Sequence, residues 1–293
     1  MPEKRLRTLL EILNYSTDLL EKKNINDARL NVELMMTEVL KCDRVKLYLD
    51  FDKPLSKNEI SSFKILLKRR LTKEPLQYVL GKTNFYGYDF VVNKNVLIPR
   101  PETEILVEKV LEDINSTKKK SVRIFEIGTG SGCISIALSK ELGKIGVEHH
   151  VKVIDNSKEA IEVAQENKEL NNVEEERIEF STKDLFRINS IDDKYDYIIS
   201  NPPYISREEF NKLDDEIKYF EPKNSLSDGE DGFRFFKKIF LLLNDYNYKS
   251  KVFCEIGINQ KYELESLLKE MGIEDFTFFE DYNKIYRILK INL

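Results

Sequence analysis

The chain has no tryptophan, two histidines and three cysteines in 293 residues, and no apolar run approaches the roughly eighteen residues a membrane span requires. Each scarcity removes a class of function. Cys42, Cys133 and Cys254 are far apart, odd in number and outside any C-x-x-C, which argues against a disulfide framework and a zinc site. No metal is expected, and the thiols read as small buried or half-buried side chains. His149 and His150 adjoin an apolar run in what reads as a surface loop, so histidine acid–base chemistry is not expected. The opening Met-Pro-Glu-Lys-Arg-Leu-Arg leads into a polar amphipathic pattern without an apolar signal core, which points to the cytoplasm and to no membrane. Net charge is −5, and the one basic cluster, Lys118, Lys119 and Lys120, sits in a Ser-Thr-Lys stretch typical of a solvated loop. Scattered rather than massed basic residues weigh modestly against DNA as the main partner without excluding RNA, and no direct nucleic-acid binding is expected.

Two phosphate signatures are missing as well. In Glu126-Ile127-Gly128-Thr129-Gly130-Ser131-Gly132 the sixth position from Gly128 is Cys133, and from Gly130 it is Ser135, so G-x-G-x-x-G fails. No G-x-x-x-x-G-K-[ST] occurs either. What is present is G-x-G-x-G with an acid two residues ahead of it. A carboxylate there would repel a phosphate but suits a cationic or amino-bearing ligand.

The length allows two domains. Residues 1–81 carry helical periodicity alone. Leu9, Leu10, Ile12, Leu13, Leu19 and Leu20 form one stripe, and Leu30, Leu34, Met35 and Leu40 a second. Ser56 with Glu59 is a capping box opening a helix toward Lys68, Arg69 and Arg70. Residues 82–101 read as a β-hairpin linker, with residues 85–92 and 96–98 as strands around an Asn93-Lys94-Asn95 turn. Over residues 102–293 strand-like and helical runs alternate, which implies a doubly wound, mostly parallel sheet with helices on both faces. Residues 276–290 add an antiparallel edge hairpin.

One tetrapeptide stands out. Asn201-Pro202-Pro203-Tyr204 follows the apolar run of residues 195–199, so it falls at the end of a strand, where open α/β sheets place their ligands. Consecutive prolines stiffen the turn and turn carbonyls outward as acceptors. An Asn oxygen, the Pro202 carbonyl and a Tyr face suit a planar –NH2 conjugated to a π system, Pro203 completing the rigid corner. Asp155 ends the second strand of this domain, where a doubly wound fold places the acid for a ribose diol. Asp184 and Leu185, with Phe186, offer polar and apolar contacts to a purine. Taken singly, a Pro-Pro turn and an Asp cap before Ser157 are ordinary structure. Together, a ribose, an adenine, a positive tail and no phosphate describe S-adenosyl-L-methionine.

These residues resemble class I S-adenosylmethionine-dependent methyltransferases with an Asn-Pro-Pro-Tyr motif. Over nearly its full length the chain is similar to the protein-glutamine methyltransferases that modify bacterial peptide chain release factors. The closer match is carried by Glu74-Pro75-Leu76-Gln77-Tyr78-Val79-Leu80-Gly81, Phe85-Tyr86-Gly87, Leu97-Ile98-Pro99-Arg100-Pro101-Glu102-Thr103-Glu104, Glu221-Pro222, Asp228-Gly229 and Asp231-Gly232. The resemblance implies a seven-stranded Rossmann-like methyltransferase sheet and a helical substrate-recognition domain. It places the cofactor on Glu126, Gly128, Thr129, Gly130, Ser131, Gly132, Asp155, Asp184, Leu185 and Asn201, with the substrate amide on Asn201, Pro202, Pro203 and Tyr204. Glu126 stands where the family often has Asp, and Leu185 where it often carries Trp. Glu255 matches without an assigned role beyond the sheet edge. The implied reaction methylates the glutamine amide of a Gly-Gly-Gln motif in a release factor, the partner, by a monomer. The alternative is an amino-methyltransferase acting on adenine or cytosine.

Overall fold

Helical periodicity stops at Gly81, and the chain divides there. A computed structural model describes residues 7–191, 193–244, 246 and 249–293; residues 1–6, which hold most of the segment read for a signal core, lie outside the described residues. The first unit runs to Gly81 and takes in Asp215–Phe220; the second holds the rest.

In the first unit, α1 (Leu9–Glu21) and α4 (Lys57–Leu71) both begin with capping boxes, Thr8 with Glu11 and Ser56 with Glu59, which satisfy backbone donors reciprocally. Between them lie α2 (Ala28–Leu40) and α3 (Arg44–Leu49), and α5 (Leu76–Leu80) follows. Leu9, Leu13 and Leu20 are buried as the first stripe requires. The second stripe is rotated: α2 buries Val32, Met35 and Met36, while Leu30 faces solvent. The reason is packing on two sides, against α1 and α4, which selects a different face from the one leucine spacing suggests. Arg70 of α4 is buried and donates to Asn31 at 2.6 Å and to Glu216 at 2.8 Å, so Asp215–Phe220 is fastened to this unit by a buried charge.

The second unit opens with β1 (Lys82–Phe85) and β2 (Tyr88–Val91), an antiparallel hairpin turning at Tyr86-Gly87, both at positive φ. That two-residue, left-handed turn matches the strand twist, which is why the hairpin forms there and not around Asn93-Lys94-Asn95. Phe85 and Phe90 join the core with α6 (Pro101–Thr117), so the stretch read as a linker belongs to the body of this unit. Then come β3 (Ser121–Ile127), α7 (Cys133–Lys144), β4 (Glu148–Asp155), α8 (Lys158–Leu170), β5 (Ile178–Thr182), β6 (Tyr197–Ser200), the short α9 (Arg207–Asn211) and, after α10 (Asp215–Phe220) of the first unit, α11 (Lys223–Leu226), α12 (Arg234–Asn244), β7 (Lys251–Glu255), α13 (Lys261–Glu270), β8 (Phe276–Glu280) and β9 (Tyr286–Asn292).

Strand order is β5-β4-β3-β6-β7-β9-β8, parallel as far as β7 and antiparallel for the β9 and β8 edge pair. Alternate residues feed opposite faces. Val122, Ile124, Val151, Val153, Tyr197 and Ile199 join the core under α6 and α7, while Phe125, Ile127, Ile154, Ile198 and Val252 join the core under α12 and α13. The doubly wound sheet with its edge hairpin is thus the observed fold. No helix among the described residues is long and apolar enough to cross a membrane.

A further expectation fails in this unit. β4 extends back to Glu148, so His149 is a buried strand residue, its ring bonded to Ser139 Oγ at 2.7 Å and to the Val147 carbonyl at 2.9 Å. The strand lengthens because Glu148 N–H bonds to the Lys120 carbonyl and pairs from Ser121 onward. It lies at the strand's amino end, and burial lowers its pKa.

Candidate active site

Register places the site. Ile127, Ser200 and Cys254 share one row across β3, β6 and β7, so Gly128, Asn201 and Glu255 emerge side by side at the carboxyl ends of parallel strands. Asp155 closes β4 at the same end. From β3 the chain proceeds outward through β4 and β5, then returns to β6 on the other side. The opening between β3 and β6 is the topological switch point. A cavity of about 300 Å3 lies there, and Gly128, Gly130, Asp155, Asp184, Leu185 and Asn201 all line it.

The glycine loop is braced from beneath. Gly128 N–H bonds to the Ile154 carbonyl at 2.8 Å, and Gly130 N–H to Asp155 Oδ2 at 3.0 Å. Asp155 Oδ1 accepts from Ser157 N–H at 2.9 Å. Burial raises the Asp155 pKa while these backbone donors pull it back. Gly132 does not line the cavity; it caps α7 at φ +82°, where a Cβ would stand 3.0 Å from Ile136 and 3.1 Å from Ala164. Its glycine is a packing requirement between α7 and α8. Asn167 of α8, fully buried, donates to the carbonyls of Val91 and Ser131 and so ties the loop to the hairpin, a clamp that nothing in the local sequence announced.

Glu126 stands behind the loop rather than in the cavity wall. It is 1% exposed, and neither carboxyl oxygen has a hydrogen-bond partner; the hydroxyls of Thr129 and Ser131 are likewise buried without one. Burial pushes its pKa up to about 8, against the pull of the nearby Ser135 and Thr129 hydroxyls. Orphaned acceptors are costly unless a ligand completes them. S-adenosylmethionine fits this set: the orphaned hydroxyls of Thr129 and Ser131 in the loop for an amino group, Asp155 for a diol, and both Asp184 and Lys183 in the lining for a tail of both charges. Leu185 is buried in the wall, and Phe235 of α12 adds the aromatic surface that Leu185 lacks. Phe235 is invisible in a reading that expects the aromatic beside Asp184.

Asn201, Pro202 and Pro203 line the cavity. Tyr204 does not: its hydroxyl donates to Glu255 Oε1 at 3.0 Å, and burial raises its pKa. Its carbonyl accepts from Gln260 Nε2 at 3.0 Å and presses on Gly232, where a Cβ would come within 2.6 Å of it. Glu255 is no edge residue, since β7 lies between β6 and β9. Its other oxygen accepts from Thr103 Oγ1 at 2.6 Å, and Thr103 in turn accepts from Asn201 Nδ2 at 3.2 Å. That leaves Asn201 Oδ1 as an acceptor in the cavity wall. Two of the sequence stretches that carry the resemblance also meet here. Glu221 is buried, accepts from Ile98 N–H at 3.2 Å, and pairs with Arg100.

Comparison with known proteins agrees with this geometry. Residues 11–81 match the PrmC N-terminal domain and residues 101–217 the methyltransferase small domain. The chain is 34% identical to a release factor glutamine methyltransferase of Chlorobaculum tepidum, covering 98% of each. It is 35% identical to a release factor glutamine methyltransferase of Geobacter sulfurreducens, over 96% of this chain and 95% of that one. Among solved structures, the N-terminal domain of human METTL16 superposes with a TM-score of 0.51 at 18% identity, over 78% of this chain and 82% of that one, a likeness of fold alone. A register that gathers the glycine loop, Asp155 and Asn-Pro-Pro-Tyr at one switch point, and identity sustained over almost the whole length, lead to one conclusion: the chain belongs to the release factor glutamine methyltransferase family.

Proposed function

We propose that the protein transfers a methyl group from S-adenosylmethionine to the side-chain amide nitrogen of the glutamine in the Gly-Gly-Gln motif of peptide chain release factors. The observation that carries this reading is that Asn201 shares one cavity with Gly130 and Asp155. Gly128 to Ser131, Asp155, Asp184 and Leu185 would hold the cofactor, which supplies an electrophilic methyl group on sulfur.

The chain's own residues face a poor nucleophile, because an amide lone pair is delocalised into its carbonyl. The Asn201 side-chain oxygen and the Pro202 carbonyl accept the two N–H groups of the substrate amide, fixing its nitrogen in line for displacement. As the new N–C bond forms, positive charge builds on nitrogen. Acceptors aimed there therefore bind the transition state better than the ground state. The surplus proton leaves to water after transfer, so no strong base is needed. Tyr204 is held against Glu255 and steadies the corner. In this reading the helical unit grips the release factor, and the enzyme works as a monomer in the cytoplasm without binding nucleic acid.

The test is incubation with labelled S-adenosylmethionine and, in parallel, purified release factor and adenine- or cytosine-containing oligonucleotides, followed by mapping of the label. Label on the Gly-Gly-Gln glutamine alone is expected. Label on the oligonucleotides alone would replace this reading with a nucleic-acid amino-methyltransferase.

A further inference from the structure

We propose that Thr103 and Glu255 are positioning residues which decide which end of the Asn201 amide faces the substrate. The inference rests on the methyl-transfer reading and deepens it.

The chain of bonds has a direction. Asn201 Nδ2 lies 3.2 Å from Thr103 Oγ1, which lies 2.6 Å from Glu255 Oε2; Tyr204 Oη lies 3.0 Å from Glu255 Oε1. A hydroxyl has one proton, and an ionised carboxylate can only accept. Facing an ionised Glu255, Thr103 therefore spends its proton on it and can offer Asn201 nothing but a lone pair. Only the –NH2 end of the Asn201 amide satisfies that lone pair. The oxygen end is forced toward the cavity, where a substrate –NH2 needs an acceptor.

Protonating Glu255 on the oxygen facing Thr103 reverses the sequence. Thr103 would then accept from Glu255 and donate to the Asn201 oxygen, turning its –NH2 toward the substrate, donor against donor. When Glu255 is ionised, its charge thus appears two hydrogen bonds away as the orientation of Asn201. It also polarises each bond between, making the Asn201 oxygen a better acceptor as positive charge grows on the substrate nitrogen. Thr103 and Glu255 are 2% and 1% exposed, so the bond between them is sheltered from solvent.

The ionisable groups facing Glu255 are Tyr204, Arg287 of β9, Glu102 of α6 and Cys133 of α7. Arg287 is itself paired with Asp281 at 3.2 Å. Burial raises the Glu255 pKa above the ordinary carboxylate range, while the Thr103 and Tyr204 hydroxyls and the Arg287 charge pull it down.

The test compares wild type, Thr103→Val, Thr103→Ser and Glu255→Gln by steady-state kinetics with release factor, by calorimetry with S-adenosylmethionine, and by the Asn201 side-chain –NH2 resonance in asparagine-15N-labelled protein, assigned by its absence from Asn201→Ala. Valine keeps the shape of threonine and removes the hydroxyl. Thr103→Val should lower kcat by about tenfold or more with cofactor affinity within about twofold of wild type, and should move the Asn201 resonance. Thr103→Ser should restore most of the kcat. The Asn201 resonance of wild type should move with pH as Glu255 titrates, and Glu255→Gln should abolish that movement. Wild-type kcat and an unmoved resonance in Thr103→Val would overturn the proposal. So would a Thr103→Ser variant as slow as Thr103→Val, since packing and not the hydroxyl would then be responsible. Failure of wild type to label the glutamine would instead sink the functional reading, and the resonance would still report on the orientation.

Discussion

Asp155 Oδ2 accepts the Gly130 backbone N–H at 3.0 Å, so the carboxylate lining the cavity is also the strut beneath the glycine loop. One residue at the end of β4 therefore braces the loop and faces the cavity.

Asp155→Ala should remove both functions. Charge-assisted hydrogen bonds are worth about 1.5–3 kcal/mol, so cofactor affinity should fall roughly 10- to 100-fold with a smaller change in kcat at saturation. Isothermal titration with S-adenosylmethionine measures it. Unchanged affinity would remove Asp155 from the site.

Asn201→Ala should behave in the opposite way. Removing one preorganised polar group aimed at developing charge costs roughly 10²–10³ in kcat. Cofactor affinity should stay near wild type, because the loop and Asp155 are untouched. Near-normal turnover would end the amide-orienting role.

Glu126 makes stability depend on pH. Burial holds its pKa up to about 8, whereas in the unfolded chain it titrates near 4.3. Between these values the unfolded chain releases a proton that the folded protein keeps. Stability without ligand therefore falls as pH rises through that window and levels off above it. The scale is about 1.4 kcal/mol per unit of pKa difference, a few kcal/mol in all. Glu126→Gln should gain on wild type in thermal midpoint from about pH 5 to about pH 8. A gap that is constant over this range would mean Glu126 does not titrate there.

Gly132→Ala should lower the thermal midpoint more than Gly128→Ala. Both positions have positive φ, at a cost of roughly 1–2 kcal/mol for an L-residue, but only at Gly132 would the new methyl collide with Ile136 and Ala164. Equal losses would show that α7 and α8 adjust freely.

Alkylation of the native protein should leave Cys133 and Cys254 unmodified, because burial pushes both thiols up to about 12. Any adduct should map to Cys42, which is only half-buried. Rapid modification of Cys133 would imply that the wall of the cavity opens.

What could be read in advance depended on how local the cause was. The glycine loop and the Asn-Pro-Pro-Tyr corner are legible because their backbone requirements are written in consecutive residues. So is the period-2 alternation that splits Ile198 from Ile199 onto opposite faces. The hairpin turn was missed because Tyr86 accepts a positive φ that an aromatic seldom takes, and His149 because β4 is prolonged by pairing with β3 rather than by its own propensity.

The sequence by itself determined the alternation of strands and helices, the rigid donor-poor corner and a glycine loop without either phosphate-binding fingerprint. Tertiary structure alone decided what surrounds them. Thr103 and Glu255 lie 152 positions apart, and Asn201 lies 98 from Thr103; no local pattern relates them. Parallel pairing of β6 with β7 and the packing of α6 on that sheet bring them within hydrogen-bond reach, because strand register and helix packing join residues that the chain keeps far apart.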